Sequence, residues 1–329
     1  MTKSSIHDVA KLAGVSTATV SHTINKTRFV SEDTKLRVQS AIDTLGYIPN
    51  VHARSLRTGR KKTIGFIVPD ISNKFFASVI ESVEEVVSEQ KFHLIIANTR
   101  ETKQRELAHL RYFASGVVDG LLLASTLGDY SECANIIPSS LPVVSVDREL
   151  NQAPYDSVTV NSFKSVHQGV LNLIGKGKKR IGFITGLPHL STTIERLSAY
   201  EHAIIDGGLE LDPSLITVGN SMENSAYICT KELLDAKCDA IVVSNGIMAD
   251  DVIDYLNRKS IIIGTDVSLV CFYDYNKPAF RGMDIDIVEQ PVVELGQQAG
   301  KRILNKIKHP DAAHQNIILS SNYIQNAEL

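Results

Sequence analysis

The chain has 329 residues, of which 43% are hydrophobic and 22% charged, with a formal net charge of -3. At about 150 residues per domain, that length gives two or three units with ample core, which excludes a peptide or a small disulfide scaffold. The composition also excludes collagen-like, disordered and membrane classes. The first residues, MTKSSIHDVAKLAGV, hold no apolar core of signal-peptide length, and no run approaches the roughly 18 apolar residues of a membrane span, so a cytoplasmic protein is expected. Cys133, Cys229, Cys238 and Cys271 show no CxxC or Cys/His ligand spacing. Buried free thiols are therefore expected, with no disulfide framework, structural metal or cofactor.

The net charge hides an asymmetry. Residues 1–62 carry eleven Lys or Arg against Asp8, Glu32, Asp33 and Asp43, a net +7, and the remainder is left at -10. A compact basic module releases counterions when it meets a polyphosphate, whereas an acidic body is repelled by one, so nucleic acid is expected to touch only the N-terminal segment. A solvated basic face without a partner carries the same charge, and motifs have to decide.

Ser5 precedes an apolar stripe of Ile6, Val9, Ala10 and Ala13, and Asp8 stands three residues after it as in a capping box. Gly14 is placed to close this helix, and Ser16 to cap a second one over Thr17 to Asn25 that buries Val20 and Ile24. Two helices joined by so tight a turn form a helix-turn-helix. Ser31 caps a third, striped by Val38, Ala41, Ile42 and Leu45 and stopped by Gly46. After Pro49, the run from Asn50 to Gly59 is too short to be a stable helix alone, so it either orders when something docks against it or is a plain linker.

The run IHDVAKLAGVSTATVSHTINKTRFVSEDTKLRVQSAIDTLGYIPNVHARSLRTGRKKTIGFIVPDISNKFF closely resembles the lactose/purine/ribose repressor family of bacterial transcription regulators, and the likeness continues along nearly the whole chain. The resemblance implies a helix-turn-helix domain over 1–49, a hinge helix over 50–61 and a two-lobed effector-binding and dimerisation core over 62–329. It implies that the second helix enters the major groove of operator DNA, with Thr17, Ala18 and His22 reading bases, and with Ser16, Thr19, Ser21 and Asn25 near phosphates. Ser5 and Ser31, which cap the flanking helices, join the DNA-contacting set. Many members hold arginine where this chain has His22, and an imidazole cannot make the two-pronged guanine contact of a guanidinium. In the family, paired hinges enter the minor groove and Leu56 wedges into the central base step. Asn50, Ala53 and Leu56 recur every three residues and leave one small apolar face.

From Thr63 the chain alternates β-rich runs with amphipathic stretches: IGFIVP, a helix around 76–88, HLIIAN, a helix near 103–115, DGLLLAS, another helix, PVVSVD and SVTVN. The pattern restarts with a helix ending near Ile174, then RIGFITG, a helix through Arg196 and Tyr200, LITVG, a helix near 225–236, AIVVSN, a helix to about Asn257, and SIIIGTD. Two parallel α/β lobes are implied, knitted together by the late MDIDI strand, the helix striped by Val288, Val292, Leu295, Ala299 and Ile303, and a last strand NIILSSNYI. Ligands bind beyond the carboxyl ends of such strands, which points to Asp70 to Phe76, Ser125, Thr126, Asp147, Arg148, Asn245 and Asp266.

The family resemblance, to a periplasmic-binding-protein-like core, implies that Arg196 holds effector and that Asp266 in IIGTD is its acidic partner. It also implies lip aromatics at Phe75 and Phe76, pocket positions at Asn73, Thr192, Asn245 and Gln290, and a sensor of lobe movement at Asp147. The position where several members stack an aromatic is Ser221 or Met222, and the family's Asn-Asp pair reads Asn245-Gly246, which points away from a flat nucleobase. The loop between Asn257 and Ile261 reads as shortened. GLPHLS followed by Arg196, with Val146-Asp147-Arg148, resembles the fructose and sucrose branch, and Arg148 with Lys74 is expected to hold a phosphate. The effector expected is thus a sugar or sugar phosphate that releases the operator, with a nucleobase or a co-regulator protein as the alternatives.

An enzyme and a secreted solute-binding protein of the same core are the rival readings. The sequence holds no GxxxxGK[ST], GxSxG or HExxH, and neither rival accounts for the basic helix-turn-helix. The chain ends soon after its last strand without a leucine-rich tail, so a homodimer on a near-palindrome is expected.

Overall fold

The computed structural model describes residues 4–48, 61–273 and 284–325. The chain divides into two compact units, one ending at Lys61 and the other beginning at Lys62. The hinge readings at Asn50, Ala53 and Leu56 lie outside the described residues.

In the first unit, helices α1 (Ile6–Ala13), α2 (Thr17–Asn25) and α3 (Glu32–Leu45) form where the sequence places their caps. Ser5 and Asp8 close a reciprocal capping box, Ser16 accepts from the Thr19 N–H, and Ser31 accepts from the Thr34 N–H. Each such cap stabilises its helix by about 1 kcal/mol. Gly14 and Gly46 end α1 and α3 at φ of 65° and 55°, in the left-handed region that glycine enters without a Cβ clash. Val9, Ala10, Ala13, Val20, Val38 and Ala41 are the buried core, small residues that let three short helices approach closely.

The second unit is two six-stranded sheets. The first holds β1 (Thr63–Val68), β2 (His93–Asn98), β3 (Gly120–Leu123), β4 (Val143–Val146), β5 (Asp156–Asn161) and β11 (Asn316–Ser320), in the order β11-β5-β4-β3-β1-β2. The second holds β6 (Ile181–Thr185), β7 (Ile216–Val218), β8 (Ala240–Val243), β9 (Ser268–Phe272), β10 (Ile285–Glu289) and β12 (Asn322–Ile324), in the order β12-β10-β9-β8-β6-β7. The orders match strand for strand, so the lobes repeat one topology. Pairing is parallel except for β12 on β10. Apolar runs such as β3 and β8 are buried throughout, as expected for parallel strands covered by helices on both faces.

The helices include α4 (Lys74–Glu89), α5 (Lys103–Tyr112), α6 (Phe163–Gly175), α7 (Ser191–Asp206), α8 (Ala226–Asp235), α9 (Gly246–Arg258) and α10 (Val292–Lys308). Helix α10 lies close on α4 because Gly296 has no side chain: a Cβ there would stand 2.7 Å from the Val79 carbonyl oxygen and 2.6 Å from Ser82 Cβ. Buried Arg302 of α10 pairs with Asp156 of β5 and ties the helix to the first sheet. The chain passes between lobes after β5, after β10 and after β11. Two of these passages are joined, since Ser165 Oγ donates to the Ser321 carbonyl at 2.9 Å and the Ser321 N–H to the Asn161 carbonyl at 3.2 Å. No helix among the described residues is long and apolar enough to cross a membrane.

Three expected elements differ. NIILSSNYI is not one strand: it breaks at Ser321 and gives one strand to each lobe. Between β3 and β4 the described chain forms only a 3-10 turn, Tyr130–Glu132, in place of the expected helix. SIIIGTD is not a strand either. Ile262 is 61% exposed, Gly264 turns the chain at φ 93°, and the Asp266 carboxylate accepts from the Ile262 N–H, so the three isoleucines sit in a turn. The strand is β9, which begins seven residues beyond Ile261.

Candidate functional site

On α2 the side chains expected at DNA divide into two groups. Thr17 and Ala18 are exposed at the start of the helix with no packing role. His22 Nδ1 is hydrogen-bonded to Thr27 Oγ1 at 2.8 Å, which orients the ring and leaves Nε2 for an outside partner. One ring nitrogen makes one hydrogen bond, where an arginine fork makes two. Asn25 Nδ2 donates to the Ser21 carbonyl at 2.8 Å, Ser16 Oγ lies 2.9 Å from Thr19 Oγ1, and Ser5 and Ser31 are occupied by their caps. Ser16, Thr19, Ser21, Asn25, Ser5 and Ser31 therefore hold helices in shape, and a phosphate contact from them would add to that role.

In the second unit, the carboxyl ends of strands from both lobes meet around a cavity of about 50 Å³. A water molecule takes about 30 Å³ of liquid, so the cavity has room for a water or two and a larger ligand needs it to widen. The first lobe contributes Asn73, Phe75, Phe76, Asp147 and Arg148, the second Thr192, Arg196 and Asn245, and the passage after β10 contributes Gln290. Each is fixed by its element. Asn73 and Asn245 cap α4 and α9 through their side-chain oxygens, Phe75 and Phe76 stack edge to face at 5.0 Å, and Phe76 also belongs to the first lobe's core. Asp147 ends β4 in the left-handed region at φ 65°, a strained backbone for a residue with a Cβ.

The charged groups here are almost fully enclosed. Arg196 donates from Nη1 to the Ser244 carbonyl at 2.6 Å and its guanidinium lies 3.9 Å from the Phe272 ring centre, while its Nε has no partner. Asp147 Oδ1 also has none. Burial pushes the Asp147 carboxyl up against the opposing pull of Arg196 and Arg148, and burial pushes the Arg196 guanidinium down against the pull of Asp147. Buried polar atoms are nearly always hydrogen-bonded, so enclosed donors and acceptors left open in one cavity mark a place where a ligand supplies the missing partners.

Three expectations fail. Asp266 is exposed at the amino end of β9, away from the cavity, because the strand begins two residues after it. The acidic residue that follows β9 in sequence is Asp274, outside the described residues. Ser125 does not line the cavity: it is buried and donates to Glu106. Arg148 does not join Lys74, which is exposed and not in the lining; it forms a two-pronged pair with Glu101. Thr193, Gly186 and Ser244 of the cavity lining were missed, as was Glu101, which lines the neighbouring groove and pairs with Arg148. Glu101, Gly186 and Ser244 follow the carboxyl ends of β2, β6 and β8, so the strand-end rule applied to every strand would have found them.

A larger groove of about 1020 Å³ lies beside this cavity, between residues 126–157 and 189–195. Its charges are already partnered: Lys103 with Glu132 at 2.5 Å, Asp129 with Asn151 at 2.9 Å, and Glu149 with Ser157. The smaller cavity, with its open buried atoms, is the better candidate. Two hydrogen bonds keep it shut from the side, His189 Nε2 with the Thr126 carbonyl at 2.9 Å and the Glu149 N–H with Ser191 Oγ at 3.0 Å.

Comparison with known proteins finds a match in each unit. Residues 5–50 match the family described as bacterial regulatory proteins, lacI family, and residues 170–325 match the periplasmic binding protein-like domain. The chain is 35% identical over 315 residues to the HTH-type transcriptional repressor PurR of Haemophilus influenzae strain PittEE, covering 94% of this chain and 93% of that one. It is 32% identical to the HTH-type transcriptional regulator RegA of Clostridium saccharobutylicum, covering 98% of each. Among solved structures, the lac repressor dimer bound to operator and the anti-inducer ONPF superposes with a TM-score of 0.84 at 20% identity over 98% of each chain.

Proposed function

The chain belongs to the lacI family of bacterial regulatory proteins, a DNA-binding transcriptional repressor with an effector-binding core and not an enzyme, and from that premise we propose that it grips a near-palindromic operator as a homodimer and lets go when a small sugar-like ligand fills the cavity between its lobes. The observation that carries the ligand part is the pair of buried, unpartnered atoms, Asp147 Oδ1 and Arg196 Nε, brought to one cavity from two lobes. A hydroxyl group donates to the first and accepts from the second, so vicinal hydroxyls satisfy both. Ser221, buried in the lining where a stacking aromatic would be needed for a flat base, favours a saccharide over a nucleobase.

Dimerisation is supported by the sheet edges. β2 and β7 are the terminal strands of their sheets, and they expose Ile95, Ile96 and Val218. Exposed apolar side chains on an unpaired edge are a liability unless a partner covers them.

Release is a shift between two states. A hundredfold loss of operator occupancy needs a ligand that favours the non-binding state by about 2.7 kcal/mol, which a few charge-assisted hydrogen bonds made only with the ligand present can supply. Selection of random duplexes by the full-length protein, with and without a panel of sugars and sugar phosphates, tests the whole reading. The expected result is a palindrome centred on a CG step and released by one compound. No enrichment under any condition overturns it.

A further inference from the structure

Resting on the effector reading above, we infer that Glu101 is a specificity-determining residue: by occupying the fork of Arg148 it makes the cavity a receptor for uncharged polyhydroxy ligands and closes it to phosphate esters. Glu101 stands beyond the carboxyl end of β2, with its side chain 6% exposed. Its two carboxylate oxygens accept from Arg148 Nη2 at 2.7 Å and Nη1 at 2.8 Å, and Nη1 also donates to the Ser125 carbonyl at 3.3 Å. The Arg148 side chain is itself only 8% exposed. Burial works against its charge, but Glu101 first, with Asp147 and Glu106, outweighs it and holds the guanidinium above its ordinary value.

Arginine recognises phosphate through two parallel N–H groups and an uncompensated positive charge. Arg148 gives its end-on fork and its charge to Glu101. Its end-on fork, Nη1 with Nη2, is taken by Glu101, and Nε is buried without a hydrogen bond and 3.8 Å from Asp147 Oδ2. The charges around the cavity cancel: Arg148 and Arg196 against Glu101 and Asp147. A further carboxyl, Glu106, is buried behind Ser125 and accepts from Ser125 Oγ and from the Thr126 N–H. A phosphate entering here would lose its water and meet the Asp147 carboxylate, with the two arginines already offset in charge by Glu101 and Asp147 and Lys74 outside the lining. What the enclosed atoms lack is one donor, for Asp147 Oδ1, and acceptors for Arg196 Nε, Arg148 Nε and Gln290 Nε2. Neutral hydroxyls provide both, and Phe75 and Phe76 provide apolar surface for the carbon face of a sugar ring.

The test uses the full-length chain. Operator binding is measured first on the same preparation, so that loss of the repressor reading is seen separately. Titration calorimetry then compares ribose, glucose and fructose with their monophosphates, and thermal melting is followed with millimolar inorganic phosphate. For the wild type, parent sugars are expected to bind at least about tenfold tighter than their esters, with no protection by phosphate. In Glu101→Gln the freed Arg148 should move that ratio by about tenfold or more toward the ester and make phosphate protective. Glu101→Asp, which keeps the charge, should behave as wild type, and adding Arg148→Gln to Glu101→Gln should abolish the phosphate response. An ester that binds wild type more tightly than its parent sugar overturns the inference, as does a folded Glu101→Gln with no response to phosphate. If that variant does not fold, the wild-type sugar and ester comparison decides; if no panel sugar binds, the phosphate melting of Glu101→Gln decides.

Discussion

Asp147 and Arg196 face one cavity from opposite lobes, each 7% exposed, and make no direct ion pair. Two opposite charges that are buried together yet stay apart leave room for something between them. Buried charges held this way reduce stability in exchange for a binding site. Replacing Arg196 by Met should weaken the ligand identified by the operator-release screen by tenfold to a hundredfold, the range for one or two hydrogen bonds to a charged group. Calorimetry reads the affinity, and an operator complex that the ligand no longer releases is the matching phenotype.

Glu106 gives a pH signature. It is fully buried, and burial raises its pKa from the ordinary 4.5 although Ser125 and Thr126 donate to it. The folded state therefore binds the proton more tightly than the unfolded chain. Stability should fall as pH rises through the window that opens near 4.5 and closes at the raised value. Glu106→Gln cannot titrate, so its melting temperature should vary less across that window. Equal pH slopes for both proteins would remove Glu106 as the cause.

His22 is expected to read one position of the operator half-site. Because Nδ1 is held by Thr27, only Nε2 is offered to a base. His22→Arg should shift the preferred base at one position of each half-site toward guanine, with about 1–3 kcal/mol of discrimination. Ser16→Ala, by contrast, removes the α2 cap and should cost about 1 kcal/mol of domain stability without changing which sequences are selected. Selection of random duplexes separates the two.

Gly296 permits the contact of α10 with α4. A methyl group there meets the Val79 carbonyl at 2.7 Å, and backbone cannot yield as a flexible side chain can. Gly296→Ala should lower unfolding stability by about 1–3 kcal/mol in denaturant titration, the usual range for an overpacked contact.

The two sheet edges predict the oligomer. Ile96→Glu together with Val218→Glu places charges on the terminal strands β2 and β7. Sedimentation should give a dimer for wild type and a monomer for the double variant. A wild-type monomer, or a double variant that remains dimeric, would refute these edges as the interface.

Much of this protein was legible before any coordinate. Ser5, Gly14, Ser16, Ser31 and Gly46 marked the helix ends because a cap is an interaction within four residues, and apolar periodicity marked most strands because burial on both faces leaves an unbroken run. SIIIGTD misled for the same reason: three isoleucines look like a buried strand, and only packing shows that the slot between β8 and β10 is filled by Ser268–Phe272.

The sequence by itself determined the helix-turn-helix, the two α/β lobes and most of the cavity residues, because each of these follows from local pattern and from the rule that sites lie at strand ends. Tertiary structure alone decided how the charges are spent. Arg148 and Glu101 are 47 residues apart, and no periodicity connects them. Their pairing joins the segments that follow β2 and β4, two strands with β3 and β1 between them in the first sheet, and burial of both side chains removes the water that would otherwise weaken it.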